Sequence, residues 1–575
     1  MIHRRWLFIC SCVALVTSAF TFSVRGDILQ EMGDAFGFTQ EQKGGIEGAV
    51  FIGMVISMVF GGFICDLLGM KRIMFLAFGS HLFGSLATIF APHYESPDAS
   101  YQWLFYSSLL MGFGNGFTEV GVNPLIATMF PDKKTHYLNI LHAWWPGGLV
   151  IGGLSAEFGV RQFLPQGIFG LELWQTNLCL IAIPAAIYGL MLLPARFPRT
   201  ERVASGISTG DMFKECLRPM FLIWGFCMLL TAATELGPQK WQASVMHNTA
   251  GVSGTLILVY TSGMMFVLRH FAGPIAHAIS PVGMMAGSAF LSAVGLYLLS
   301  FADSPATAFG FATIFGLGIA FFWPTMLGVT AERFPKGGAL ALALMGSFGN
   351  LSISQVLPQM GRIVDRYAVR NVEMKSSPRT AALVLKKDAA GQYVSVNAVA
   401  VDQRGPDSYM AKLEKLGLLK SPGSLTMDDV TKHIDQLNGK TTSAESHDLL
   451  AELKGLDKTP GIASRPLVKK IEMLDQLDRL RALRAKESWD SVERKRSIPV
   501  QIEAIDKATE IATAAQTEGY RMAFRWVSLL PAVLVLIFIC IILYDRSRGG
   551  YKPELLLSRE EENELMAGGV EAPVE

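Results

Sequence analysis

Five ionisable side chains interrupt otherwise apolar runs of this sequence: Arg25, Asp27, Glu119, His142 and Glu235. A charge held in hydrocarbon costs at least ~2.5–3.5 kcal/mol on insertion scales, so each is a functional candidate by default. A carboxylate in a cavity that is wetted and dried in turn can take up a proton as its surroundings desolvate it. Proton binding then favours one conformation over another and ties proton movement to a change of shape. Asp27 follows Arg25 by two residues, so a helix-end ion pair competes with that role. Glu119 ends the run Gly112-Phe113-Gly114-Asn115-Gly116-Phe117-Thr118-Glu119 with no basic neighbour on its own helix; the competing reading is a satisfied interhelical hydrogen bond. Glu235 precedes Lys240 by five residues, which suits a gate or surface pair as well as a solute contact. His142, beside Trp144, Trp145 and Pro146, either titrates near physiological pH or packs and hydrogen-bonds.

Amides and indoles surround these groups in the sequence. Rings that stack on apolar sugar faces, with a few amides holding the hydroxyls, are a usual division of labour in a small-molecule site. The candidates are Asn115, Asn123, Asn139, Trp144, Trp145, Gln239, Trp241, Trp323 and Asn350, each of which also suits interhelical or interfacial contact. The seven cysteines fall in or beside apolar segments without metal-ligand spacing, so neither a disulfide nor a metal is expected. No nucleophile–base pair, nucleotide loop or cofactor motif is present, which argues against an enzyme. A net charge of +1 gives no sign of a nucleic-acid partner.

These residues need elements that cross a bilayer. Half the residues are hydrophobic and only 17% are charged, the composition of a multi-pass membrane protein. Segments of about 20 residues, long enough to span, fall near 5–30, 44–66, 72–92, 102–129, 136–158, 173–194, 218–240, 252–273, 282–301, 305–331, 338–364 and 523–544. Basic residues gather in the even-numbered connections and at both ends: Arg4 and Arg5, Lys71 and Arg72, Lys133 and Lys134, Arg196 to Lys214, Arg269, Arg333 and Lys336, and Arg546 to Lys552. The positive-inside rule then puts both termini in the cytoplasm. Between the last two spans, residues 366–522 carry roughly half of the chain's charged side chains and no run able to span. It follows an odd-numbered span, so it reads as a water-soluble insert on the outer face, and its many charges do not oppose this because long loops translocate largely regardless of charge. Residues 380–402 alternate like two strands around Asp388-Ala389-Ala390-Gly391, and helical patterns follow from 408, clearest over Pro466–Arg496.

The turn between the second and third spans is Gly62-Phe63-Ile64-Cys65-Asp66-Leu67-Leu68-Gly69-Met70-Lys71-Arg72. It resembles the loop between the second and third helices of the major facilitator superfamily, with Gly62, Asp66, Gly69, Lys71 and Arg72 at the family's positions. Asp27-Ile28-Leu29, Glu119 with Asn123-Pro124-Leu125-Ile126, and Leu138-Asn139-Ile140-Leu141-His142 before Gly147-Gly148 resemble the fucose/proton symporter branch. The resemblance covers about residues 5–365 and the last helix. It departs at Arg25, at His142 in place of the branch's Gln, and at the insert.

The resemblance implies an all-α fold of twelve transmembrane helices in two six-helix halves, working by alternating access. The expected domains are 1–195, a linker 196–217, 218–365 with 523–545, the insert 366–522 and a tail 546–575. It further implies proton coupling by Asp27 and Glu119, the cytoplasmic loop of Gly62, Asp66, Gly69, Lys71 and Arg72 controlling the conformational cycle, and uptake of a sugar or polyol with protons across a plasma membrane, in bacteria the inner one. An exporter or antiporter of another small organic solute, or a receptor whose outer insert binds a ligand, are the other readings.

Overall fold

In lipid every backbone amide and carbonyl must be satisfied within the protein, and a run of apolar residues meets that demand as a helix. The computed structural model describes residues 2–36, 38, 40–92, 97–252, 254–376, 385–387, 393–396, 431–432, 444–458, 470–471, 474 and 510–567. The chain divides into two compact units, Met1–Arg362 with Tyr520–Glu575, and Ile363–Gly519.

The first unit is a helical bundle. Its first half contains α1 (Arg4–Phe36), α2 (Gln40–Leu68), α3 (Met70–Ile89), α4 (Pro97–Met129), α5 (Lys134–Leu154) and α6 (Leu173–Leu192). A π-helical stretch, Ser155–Arg161, prolongs α5. Two short helices, α7 (Glu201–Ala204) and α8 (Thr209–Cys216), form the linker. The second half contains α9 (Pro219–Ala250), α10 (Gly254–Arg269), α11 (Ala272–Ile279), α12 (Pro281–Leu299), α13 (Pro305–Ile319), α14 (Phe322–Arg333) and α15 (Gly338–Lys375).

Among the described residues nine helices are long and apolar enough to cross a membrane, or ten if α10 and α11 make one bent span. Helices α4 and α5 fall outside that set, yet both lie within the first half, α4 against α2 and α3 and α5 against α1. Small residues allow this packing: a Cβ on Gly112 would sit 2.2 Å from the Val50 carbonyl oxygen, so α2 and α4 cross there in backbone contact.

Two spans expected to be continuous helices are interrupted. The eighth bends by 63° between α10 and α11, while the tenth, Pro305–Arg333, remains one span whose helix is interrupted by a turn at Ala320 and Phe321 between α13 and α14. Arg269, expected in a connection after the eighth span, is instead buried at the α10–α11 break. The eleventh and twelfth helices run further than expected, to Lys375 and from Glu510 to Ser547.

In the second unit, β1 (Leu385–Lys387) pairs antiparallel with β2 (Tyr393–Val396), Leu385 opposite Val396. Leu385 and Val396 pack with Ala368, Val369 and Val372 from the end of α15 and with Ala512 and Ala515. One further helix, α16 (Ala444–Asp457), is described, and Asp457 pairs with Lys470. The loop 388–392 and most of the stripe expected over Pro466–Arg496 lie outside the described residues, although Ile471 and Leu474 are described and buried. In the first unit, α17 (Leu529–Ser547) follows a helical stretch 510–527 that begins in the second unit, and α18 (Arg559–Ala567) closes the tail.

Candidate functional site

In the first half, Glu119 and Asn123 stand one turn apart on α4, and His142 faces them from α5. Asn123 donates to Glu119 Oε2 at 2.7 Å and its Oδ1 lies 3.0 Å from His142 Nε2. His142 Nε2 is 3.7 Å from Glu119 Oε2, and all three side chains are buried. The carboxylate therefore faces an amide and an imidazole, neither of which carries a permanent charge. An acid placed this way can gain or lose a proton without breaking an ion pair.

The second half answers with Glu235 on α9 and Arg269 at the end of α10. Arg269 Nη2 donates to Glu235 Oε1 at 3.2 Å, replacing the Glu235–Lys240 pair that the sequence suggests. Lys240 instead lies over the Phe22 ring at 5.6 Å. The other Arg269 donors go to backbone: Nε to the Ala320 carbonyl and Nη1 to the His142 carbonyl, each at 2.6 Å. Sequence reasoning missed Arg269 as a site residue. The signal was present in Pro146 and Pro324, each four residues beyond one of those carbonyls and unable to donate to it.

The remaining candidates separate. Asn139 donates to Thr325 Oγ1 across the halves at 3.1 Å, and its Oδ1 is buried without a donor among the described residues. Trp144 meets Phe266 edge-on, Trp145 packs on Phe22, and Asn350 contacts Met58 Sδ from the second half. Trp323 lies against Gly349, Gln239 donates to Met265 Sδ, and Trp241 neighbours Tyr520. Asn115 turns away into the first half, where it joins Thr21, His81 and Tyr188 in a buried network. Arg25 pairs with Glu47 at 3.1 Å and donates to Ser108. The Asp27 side chain lies outside the described residues, though its backbone is helical.

At the end of the bundle that carries the linker, the halves are zipped. Lys134 at the start of α5 donates to Glu201 of α7 at 2.6 Å and to the Ala331 carbonyl of α14 at 3.2 Å. Glu332 of α14 accepts from the Thr135 amide and hydroxyl, so it caps the positive N-terminus of α5 from the opposite half. Tyr551 of the tail donates to the other Glu332 oxygen at 2.5 Å. Burial beside that carboxylate holds the Tyr551 phenol well above its usual pKa, so it stays a donor. Arg333 pairs with Asp545, and Glu562 of the tail with Arg4 at 2.8 Å.

A family model described as Major Facilitator Superfamily matches residues 7–354, more than half of the chain. The chain belongs to the major facilitator superfamily. It is thus a multi-pass membrane transporter and not an enzyme, in keeping with its apolar helices. The cis,cis-muconate transport protein of Acinetobacter baylyi is 24% identical over 360 residues, 59% of this chain and 84% of that protein. Two solved structures show the same fold. The proton:xylose symporter XylE of E. coli aligns with TM-score 0.55 and 13% identity over 64% of this chain and 90% of its own. The E. coli fucose:proton symporter FucP, in the outward conformation, aligns with TM-score 0.52 and 15% identity over 62% of this chain and 91% of its own.

In this structure the lysine and arginine of the superfamily-like turn bond locally. Lys71 and Arg72 donate to the nearby Leu193 and Leu68 carbonyls, and Gly69 makes the turn at φ 89°. Asp66 makes the long-range tie, accepting from Thr200 Oγ1 at 2.6 Å and Arg202 Nε at 2.5 Å in the linker. Gly62 sets α2 against α15, where an added Cβ would sit 2.4 Å from that of Ala343. Asp66→Asn should slow turnover while leaving solute binding in detergent intact. Equal loss of both would indicate misfolding and remove this role.

Proposed function

We propose that the chain takes up a sugar or related polyol by proton symport, its two halves of six spans each alternating access to a shared site. One observation carries the solute class. Asn139 Oδ1, a buried acceptor without a donor among the described residues, and the buried Glu235 carboxylate, which Arg269 and the Trp323 amide satisfy in part, are acceptors from the two halves. A buried acceptor left unmade costs about 1–3 kcal/mol, and hydroxyl groups are the donors that would satisfy them. Glu119 and Asp27 are the proton-coupling carboxylates in this reading, by their match to the symporter branch. Of the aromatic and amide candidates, Asn139, Trp144 and Asn350 make contacts across the halves and provide the rest of the site in this reading. The fold likeness to XylE and FucP supports it.

A second reading is a carboxylate-bearing solute, favoured by the buried Arg269 and by the muconate transport protein. Uptake into proteoliposomes of radiolabelled sugars, polyols and dicarboxylates, with and without an imposed pH gradient, tests both. Accumulation of a sugar or polyol only under the gradient supports the first reading. Accumulation of a carboxylate alone replaces it with the second.

We place the linker and both termini in the cytoplasm of a cell with this protein in its plasma membrane, the bacterial inner membrane, and residues 366–522 outside. Ala451 of α16 is exposed in its own unit. In intact cells Ala451→Cys should therefore react with an impermeant maleimide. Reaction only after permeabilisation would put the segment in the cytoplasm and change the number of spans by one.

A further inference from the structure

We infer that Arg269 is a positioning residue that clamps the two halves at mid-bundle, by filling carbonyls that prolines have left without a helical donor. In a helix the carbonyl of residue i accepts from the amide of i+4, and a proline at i+4 has no N–H to give. Pro146 frees the His142 carbonyl in α5, and Pro324 frees the Ala320 carbonyl at the α13–α14 break. Arg269 reaches both at 2.6 Å and reaches Glu235 with its remaining nitrogen.

The Ala320 and Glu235 bonds lie within the second half and hold the guanidinium in place. The His142 bond crosses to the first half. Nearby, Gly147 admits Phe266 of α10, whose ring would stand 2.8 Å from an added Cβ, so that ring packs directly on the α5 backbone. A planar fork with five N–H groups suits three acceptors in different directions, which an ammonium on a flexible stem cannot match.

The linker end opens only when α5 leaves the second half, because Lys134, Thr135 and Asn139 also hold it there. The bond from Arg269 to His142 must break in that step, and it lies beside the Glu119–Asn123–His142 group. Loading of that group by a solute or proton is thus felt directly by the clamp. The clamp does not depend on which solute is carried.

The test uses the full chain in nanodiscs, with Ala127→Cys as reporter. Ala127 is buried on α4 and lines a small cavity under Thr200, Glu201 and Phe334 at the linker end, so a hydrophilic maleimide reaches it only when that end opens. The protein with its native cysteines alone is the blank. Arg269→Gln should raise the labelling rate about tenfold or more, the scale of one charge-assisted hydrogen bond. Arg269→Lys should fall between Gln and the parent. Pro146→Ala leaves Arg269 untouched and improves helix propensity. It returns an amide donor to His142, and so should also raise labelling. Combined with Arg269→Gln, it should add nothing. Independent, multiplying effects, or parental labelling in Arg269→Gln, would overturn the clamp. If Arg269→Gln does not fold, the same cycle with Arg269→Lys decides the question.

Discussion

Glu119→Gln should exchange solute between equal concentrations on the two sides yet fail to accumulate it under a pH gradient. The substitution keeps the shape and the hydrogen-bond reach of the side chain and fixes it in a neutral form. Asn123 and His142 remain as partners for an amide, since Asn123 can donate to the new carbonyl and the nearby His142 Nε2 can donate or accept according to its tautomer. Exchange needs no net proton release and survives. Accumulation needs a proton bound and released on each cycle, so the internal concentration should only reach the external one. Radiolabelled uptake and counterflow in the same proteoliposomes separate the two behaviours. Continued accumulation by the variant would move coupling to Asp27, and sodium in place of a pH gradient would be the next condition to try.

Lys134→Met should largely abolish the closed arrangement of the linker end. Lys134 is buried with its side chain 1% exposed, while that of Glu201 is 10% exposed. Removing one member of a buried pair costs roughly 3–5 kcal/mol, because the other charge stays behind unpaired. Water reaching Glu201 lowers that figure, but a penalty of even half that size would shift the closed fraction by more than tenfold. Hydrogen exchange over the linker helix α7 should accelerate accordingly. The double variant Lys134→Met with Glu201→Gln leaves no unpaired charge, so it should recover much of the protection. A single variant with parental exchange, or a double variant no better than the single, would show that the pair does not hold this end.

Helices buried against lipid were the readily legible part of the sequence. Their apolar length follows from bilayer thickness, and the segments read at α1–α3, α6, α9 and α12 correspond to helices. Helices α4 and α5 were read as spans at 102–129 and 136–158 as well, although Glu119, Asn123, Asn139 and His142 make them less apolar than the others. The α10–α11 break was misread for a physical reason. An arginine followed by Phe271-Ala272-Gly273 looks like a connection at the membrane surface, because a lone Arg is too costly inside. What offsets the cost is three acceptors 34, 51 and 127 residues away in the chain, which no local pattern contains. The turn at Asp66 was visible as a turn, but its partner Arg202 was hidden for the same reason, lying 136 residues on.

The pairing of buried charges has an electrical consequence. In the proposed cycle, Arg25 with Glu47 and Arg269 with Glu235 would move through the membrane field as neutral couples. Moving one elementary charge across the full field is worth about 2.3 kcal/mol per 100 mV, and a neutral couple that swings with its helices escapes that term. Glu119 faces an amide and an imidazole instead of a fixed cation, so the charge displaced when the halves exchange sides follows its state. With Glu119 neutral the swing should draw little current from the membrane potential, and with Glu119 ionised it should be driven or opposed by it. Proton occupancy of Glu119 then makes one step of the proposed cycle responsive to voltage, although ionised groups are present throughout the bundle.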